Sequence, residues 1–120
     1  MSEQYMLLFR DQGVDWSQYS DDDRRKALYQ RFVDWAQDLD RRGKLAGVDS
    51  LDRGGHTVRR KGASIVVDGP YAEGREAVLG YFIVAVDSFD EAVALAKECP
   101  HTDIGGTVEL RKIGAFPKPR

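Results

Sequence analysis

The stretch Val66-Val67-Asp68-Gly69-Pro70-Tyr71-Ala72-Glu73 decides how the middle of the chain folds. The strand-like run Ser64 to Val67 has to stop at Asp-Gly-Pro, because proline fixes φ and lacks an N–H donor while glycine tolerates unusual backbone angles. The next apolar run, Leu79 to Val86, is the strongest strand signal of the chain. Asp68 therefore lies at the exit of a strand, where binding groups are often placed. An aspartate at this position also commonly caps the turn with its own side chain.

Length and charge exclude several classes of protein. The chain has 120 residues, which is enough for one domain (residues 1–120) and too few for two. A net charge of −2 does not suit nucleic-acid binding, which needs a basic surface. We expect no membrane association either, since no apolar run is long enough to span a bilayer and no signal peptide is recognised. The single cysteine, Cys99, cannot form an internal disulfide and fits a cytoplasmic location.

The first half of the chain predicts a strand, a helix and a second strand. Tyr5 to Arg10 is nearly continuously apolar, as in a covered strand. Ser20 is the predicted N-cap of a helix that runs to Arg42, with three aspartates in its first turn. One stripe of this helix carries the apolar residues expected in the core, at three- and four-residue spacing: Leu28, Phe32, Trp35, Ala36 and Leu39.

The second half predicts a hairpin, a strong strand, a second helix and a final strand. Ser88 and Glu91 form a capping box, and Pro100 ends the helix that they begin. Its buried face is expected to contain Ala92, Leu95, Ala96 and Cys99. The predicted strands are Leu45 to Leu51, Thr57 to Arg60, Ala63 to Val67, Leu79 to Val86 and Thr107 to Ile113.

The order β-α-β-β-β-β-α-β is that of an α+β, ferredoxin-like split βαβ fold with an inserted β-hairpin. Two helices cover only one face of such a sheet, so Tyr81, Ile83 and their neighbours need another partner. A second copy of the sheet is the economical one, and we expect a homodimer. Following the chain up and down also brings several polar or aromatic residues to one end of the domain: Arg10, Trp16, His56, Asp68, Glu73, Arg75 and His101.

Motifs along nearly the whole chain resemble the YCII-related family, in its DGPF-domain branch. The matching pieces include Val67-Asp68-Gly69-Pro70-Tyr71, with tyrosine in place of the signature phenylalanine, and Cys99-Pro100-His101. Further matches are Tyr5-Met6-Leu7-Leu8, Thr57-Val58-Arg59, Leu79-Gly80-Tyr81-Phe82, Ser88-Phe89-Asp90-Glu91-Ala92 and Gly106-Thr107-Val108-Glu109-Leu110-Arg111. The resemblance implies a dimeric α+β barrel and a pocket that contains the signature aspartate, Asp68. It implies no particular activity.

The family resemblance also gives a contrast and a possible setting. Some YCII-like members are thought to use a histidine on the first helix together with an aspartate, but Ser20 to Arg42 contains no histidine. Proteins of the DGPF type are often encoded near extracytoplasmic-function sigma factors, which implies association with such a factor as one role.

The candidate site consists of two catalytic and four ligand-binding residues. A histidine titrates near neutrality and a carboxylate can orient it, so His101 with Asp68 is the candidate acid–base pair. His101 equally suits the end of a helix, where it would serve the dipole. Arg75 is the predicted contact for an anionic ligand. The other ligand-binding candidates are Arg10, Trp16 and Glu73.

The residue pattern predicts no cofactor and no metal site, because two histidines and scattered carboxylates lack ligand spacing. Cys99 is interpreted as a core residue rather than a nucleophile. Two functions then remain open. One is a binding or accessory protein for a small organic molecule, and the other is a small acid–base enzyme of lyase or hydrolase type.

Overall fold

The computed structural model describes residues 2–52, 54–69 and 78–119. Four antiparallel strands form the main sheet in the order β2-β5-β1-β6, and β3 and β4 form a separate two-stranded hairpin. This is the predicted ferredoxin-like α+β fold with an inserted hairpin, and within the described ranges the sheet of one chain does not close into a barrel. The strands are β1 Glu3–Arg10, β2 Leu45–Ser50, β3 Thr57–Lys61, β4 Ser64–Asp68, β5 Val78–Val86 and β6 Thr107–Lys112.

The helices differ from their predicted bounds at the ends. α1 spans Asp22–Arg41, α2 spans Phe89–Glu98 and α3 spans Pro100–Asp103. The prediction that Ser20 is the N-cap of the first helix was wrong. Ser20 already has helical φ and ψ, because it ends a short 3₁₀ helix, Trp16–Tyr19, and Asp21 accepts the capping bond from the Asp23 amide at 2.7 Å instead. Among the described residues, no helix is long and apolar enough to cross a membrane.

The predicted start of the second helix is confirmed. The Glu91 amide donates to Ser88 Oγ at 3.1 Å, and the Glu91 carboxylate accepts from the Asp87 amide at 2.8 Å. Pro100 ends α2, as predicted, but it also begins the short helix α3, because proline suits the first helical position. His101 therefore lies inside α3 rather than in a loop.

The core lies between one face of the sheet and the helices. Alternate residues of β1 and β5, among them Leu7 and Val84, point to this face and are fully buried. Trp35 of α1 stacks on Phe82 of β5 with ring centroids 4.6 Å apart. The predicted core face of α2 is confirmed, since all four of its residues are buried: Ala92, Leu95, Ala96 and Cys99.

The C-terminal half of α1 is fixed to α2. Arg42 Nη1 donates to Glu98 Oε1 at 2.9 Å and to Asp38 Oδ2 at 3.0 Å. Trp35 and Leu39, in the same half, are the buried residues of α1. The N-terminal half contributes no fully buried side chain, so it packs against the sheet more loosely.

The opposite face of the sheet carries half-buried apolar side chains with no helix over them in the described ranges. Leu8 pairs with Tyr81 and Met6 pairs with Ile83 across β1 and β5, so the four side chains form one patch. The hairpin exposes a second, smaller apolar face in which Val58 pairs with Val67, and both are more than half exposed.

Candidate functional site

A cavity of about 860 Å³ opens between the N-terminal half of α1, the 3₁₀ helix and the strands β2 and β5. Its wall is mostly apolar, with aliphatic residues from α1, β2 and β5 and with Ile104, which directly follows α3. The aromatic lining residues are Phe9, Trp16, Tyr19, Tyr29, Phe32 and Phe82. A largely apolar cavity of this size, with few polar groups, is the usual form of a site for a small organic molecule.

His101 is the histidine on this wall, and it is 2% exposed. Its Nε2 lies 2.5 Å from the carbonyl oxygen of Arg10 at the end of β1. The imidazole also packs against the rings of Phe9 and Phe32, with centroid distances of 5.5 and 6.3 Å. The end of a strand, a short helix and two rings therefore fix its orientation.

Burial lowers the pKa of His101 below its usual value of 6.5. The hydrogen bond to the Arg10 carbonyl and the negative charge of Asp11 both oppose this lowering, but burial has the larger effect. His101 is consequently neutral at physiological pH. The carboxylate whose charge acts on it belongs to Asp11, which directly follows β1.

The cationic residue on the cavity wall is already paired. Arg25 Nη1 donates to the carbonyl oxygens of Tyr19 and Ser20 at 3.1 and 3.0 Å, and Nη2 contacts the Asp22 carboxylate. These contacts hold the 3₁₀ helix against the start of α1. These contacts use three of the five guanidinium N–H donors, and the Asp22 carboxylate neutralises the charge that would attract an anionic ligand.

Two of the predicted site residues reach this region with His101. Trp16 lies on the cavity wall, where its ring is 6.0 Å from that of Tyr19 in an edge-on arrangement. Arg10 contributes its backbone carbonyl, whereas its side chain turns to the uncovered face of the sheet. There its Nη2 and Nε donate to Glu109 Oε1 at 2.7 and 3.0 Å.

Asp68 occupies a different setting at the end of β4. Its Oδ2 accepts from Arg59 Nε of the neighbouring strand at 2.8 Å, and both side chains are about half exposed. Among the described residues that line the cavity, Asp68 is not present. Glu73 and Arg75 lie outside the described residues, so their part in a site with Asp68 and His101 stays a prediction.

Sequence reasoning missed several residues of the cavity wall. Phe32, a predicted core residue, packs against the core but also lines the cavity, and Tyr29, which the sequence did not single out for a site, lines it too. The available signal was the width of the apolar stripe at the start of α1, which exceeds what one sheet contact needs. The sequence also did not single out Asp11, whose charge acts on the pKa of His101, although it directly follows Arg10 at the end of β1. In the described ranges, no group of three or more His, Cys, Asp or Glu side chains is arranged to hold a metal ion.

Comparison with known proteins identifies relatives of this chain by sequence. The family model of the YCII-related domain matches residues 4–117. The chain is also 28% identical over 120 residues to an uncharacterized protein of Rhizobium meliloti (strain 1021), an alignment that covers 92% of this chain and 91% of that protein. The likeness extends over essentially the full length of both chains.

Proposed function

This chain belongs to the family of YCII-related domains, a name that specifies no activity, and we propose that it binds a small, largely apolar organic molecule in the cavity beside α1. The observation that carries the proposal is the cavity itself, an apolar space of about 860 Å³ that contains one buried, oriented histidine. Such a volume is within the range of pockets that hold small ligands and cofactors.

The composition of the wall supports an apolar ligand. Aromatic rings line several sides. Of the two charged residues among the described lining residues, Arg25 is engaged by Asp22 and two backbone carbonyls, and Asp49 Oδ1 accepts from the Ser50 amide at 2.9 Å. Transfer of apolar surface from water into such a space is favourable by about 25 cal/mol per Å². Shape and apolar area would therefore supply most of the affinity, and His101 would supply orientation.

The experiment is a titration with naphthalene, followed by its intrinsic fluorescence, against the wild type and a variant with a filled cavity. Val33 lines the cavity and is half-buried, so Val33→Trp should occupy ligand space and weaken binding at least tenfold. Val58→Trp on the exposed hairpin is the matched control and should bind like the wild type. Undetectable binding to the wild type, or equal binding to Val33→Trp, would refute the proposal.

A proton-transfer enzyme is the second candidate, and the neutral, fixed imidazole of His101 favours it. A general base has to be unprotonated and held in place, and His101 meets both conditions. In the sequence-based form of this hypothesis, Asp68 is the acid–base partner of His101. Turnover that survives His101→Gln undiminished would exclude this role for His101.

The biological setting of the protein stays at the level of prediction. The sequence arguments and the family resemblance predict a homodimer, a cytoplasmic location, no binding to nucleic acid or membranes, and association with an extracytoplasmic-function sigma factor. Gene neighbourhood is the inexpensive discriminator. A sigma-factor gene nearby favours the accessory role, and a catabolic cluster favours the enzyme.

A further inference from the structure

The hydrogen bond between His101 and Arg10 fixes the tautomer of the imidazole. A backbone carbonyl can only accept, so the Nε2 atom 2.5 Å from the Arg10 oxygen must carry the proton. A neutral imidazole has one N–H, so Nδ1 is left with a lone pair and can only accept a hydrogen bond. Within the described ranges, Nδ1 has no hydrogen-bond partner in the protein.

The packing around His101 keeps this tautomer and orientation. Phe9 and Phe32 contact the ring, and a rotation that exchanged Nε2 for a C–H would leave the Arg10 carbonyl without its donor. An ion pair between Arg31 and Asp103 also ties α3, which carries His101, to α1. The acceptor is thus a fixed feature of the site.

The remaining wall restricts which ligands can use this acceptor. A carboxylate has no N–H or O–H at neutral pH to offer to Nδ1. The Arg25 guanidinium, which would be its natural partner, is engaged by Asp22, Tyr19 and Ser20. A neutral hydroxyl or N–H on an apolar body satisfies both conditions.

Building on the proposed function, we infer that the cavity selects neutral aromatic or alicyclic molecules bearing a hydroxyl or N–H donor, which bonds to Nδ1 of His101. The Arg10 carbonyl sets this preference by holding the proton on Nε2. Arg10 therefore acts as a positioning residue through its backbone, and His101 is the ligand-contacting residue.

The test compares three probes of similar shape on the wild-type protein: 1-naphthol, which donates, and 1-methoxynaphthalene and 1-methylnaphthalene, which do not. We expect 1-naphthol to bind about fivefold more tightly than either, the ratio that a net hydrogen bond of about 1 kcal/mol gives. His101→Phe should abolish this ratio while 1-methylnaphthalene still binds.

Two further variants separate recognition from folding. His101→Gln retains both a donor for the Arg10 carbonyl and an acceptor for the ligand, so it should preserve part of the preference. His56→Phe, at an exposed loop position, should leave the ratio unchanged. Equal affinity of the wild type for all three probes would overturn the inference and leave the proposed function standing. Binding of none of them would refute both.

Discussion

A Cβ atom on Gly106 would overlap Nε2 of His101 and the two ring carbons that flank it. The Gly106 amide also donates to the carbonyl oxygen of His101 at 2.9 Å, so the two residues touch through backbone and side chain alike. The edge of the imidazole that faces Arg10 is in place because residue 106 has no side chain.

Gly106→Ala should therefore displace the imidazole and break its bond to the Arg10 carbonyl. We expect a loss of about 1–3 kcal/mol in the free energy of unfolding, the usual cost of overpacking a filled interior. Urea denaturation measures it. Gly114→Ala is the matched control, since a Cβ there meets nothing within 4 Å, and it should change stability by a few tenths of a kcal/mol at most. Equal stability of the two variants would contradict the argument.

The buried histidine also predicts how stability depends on pH. Folding lowers the pKa of His101 below its usual 6.5, so the unfolded chain binds the proton more readily. The stabilising contribution is complete above about pH 6.5 and is lost as the pH falls from there through the folded pKa. Urea midpoints between pH 7.5 and pH 5 should decrease, and His101→Gln should flatten that decrease. If the decrease persists in full in His101→Gln but disappears in His56→Gln, it arises from His56, and the prediction is wrong.

Asp68 offers a direct test of the predicted shared site. If Asp68 and His101 act together in catalysis, Asp68→Asn should cut turnover about a hundredfold. Its half-exposed ion pair with Arg59 and its absence from the described cavity wall lead us to expect less than a twofold change in naphthalene affinity. Stability should fall by no more than about 1 kcal/mol, as for other exposed ion pairs. Isothermal titration and urea unfolding of the same sample give both numbers.

Cys99 should be unreactive in the folded protein. Its side chain is fully buried, and burial raises the pKa of the thiol to about 12, so almost no thiolate exists at pH 8. Ellman's reagent should therefore release no significant colour from the native protein within minutes, and one equivalent per chain after denaturation. Rapid stoichiometric reaction under native conditions would show that the region around α2 and α3 opens readily.

The uncovered face of the sheet makes the predicted homodimer testable. Light scattering at micromolar concentration should give twice the chain mass, and Ile83→Glu should give the monomer, because it places a charge in the patch shared by Met6, Leu8 and Tyr81. Lys97→Glu, an exposed change on α2, is the charge-altering control and should remain dimeric. A monomeric wild type would refute the dimer.

Most of the fold could be predicted because its signals are local. Leu79 to Val86 alternates its buried side consistently, and Ser88 with Glu91 starts α2 where the capping pattern predicts. The start of α1 was harder, since Ser20 and Asp21 are both good N-caps. The choice depends on the 3₁₀ helix before them, which leaves Ser20 with helical angles.

The site was less predictable, because it depends on long-range packing. Counting strands and helices placed Arg10, Trp16 and His101 at one end, but did not indicate that Arg10 would act through its carbonyl while its guanidinium pairs with Glu109. Nor did it show that Asp68 would pair with Arg59 across the hairpin. Spacing along a chain does not specify which atom of a residue faces a cavity.

The two halves of α1 differ in what a substitution costs the fold. Its C-terminal half holds the molecule together through Trp35, Leu39 and the contacts of Arg42, so substitutions there cost the fold. Its N-terminal half shapes the cavity with Leu28 and Tyr29, which the core does not need. Substitutions in the N-terminal half can therefore reshape the cavity while the scaffold stays intact.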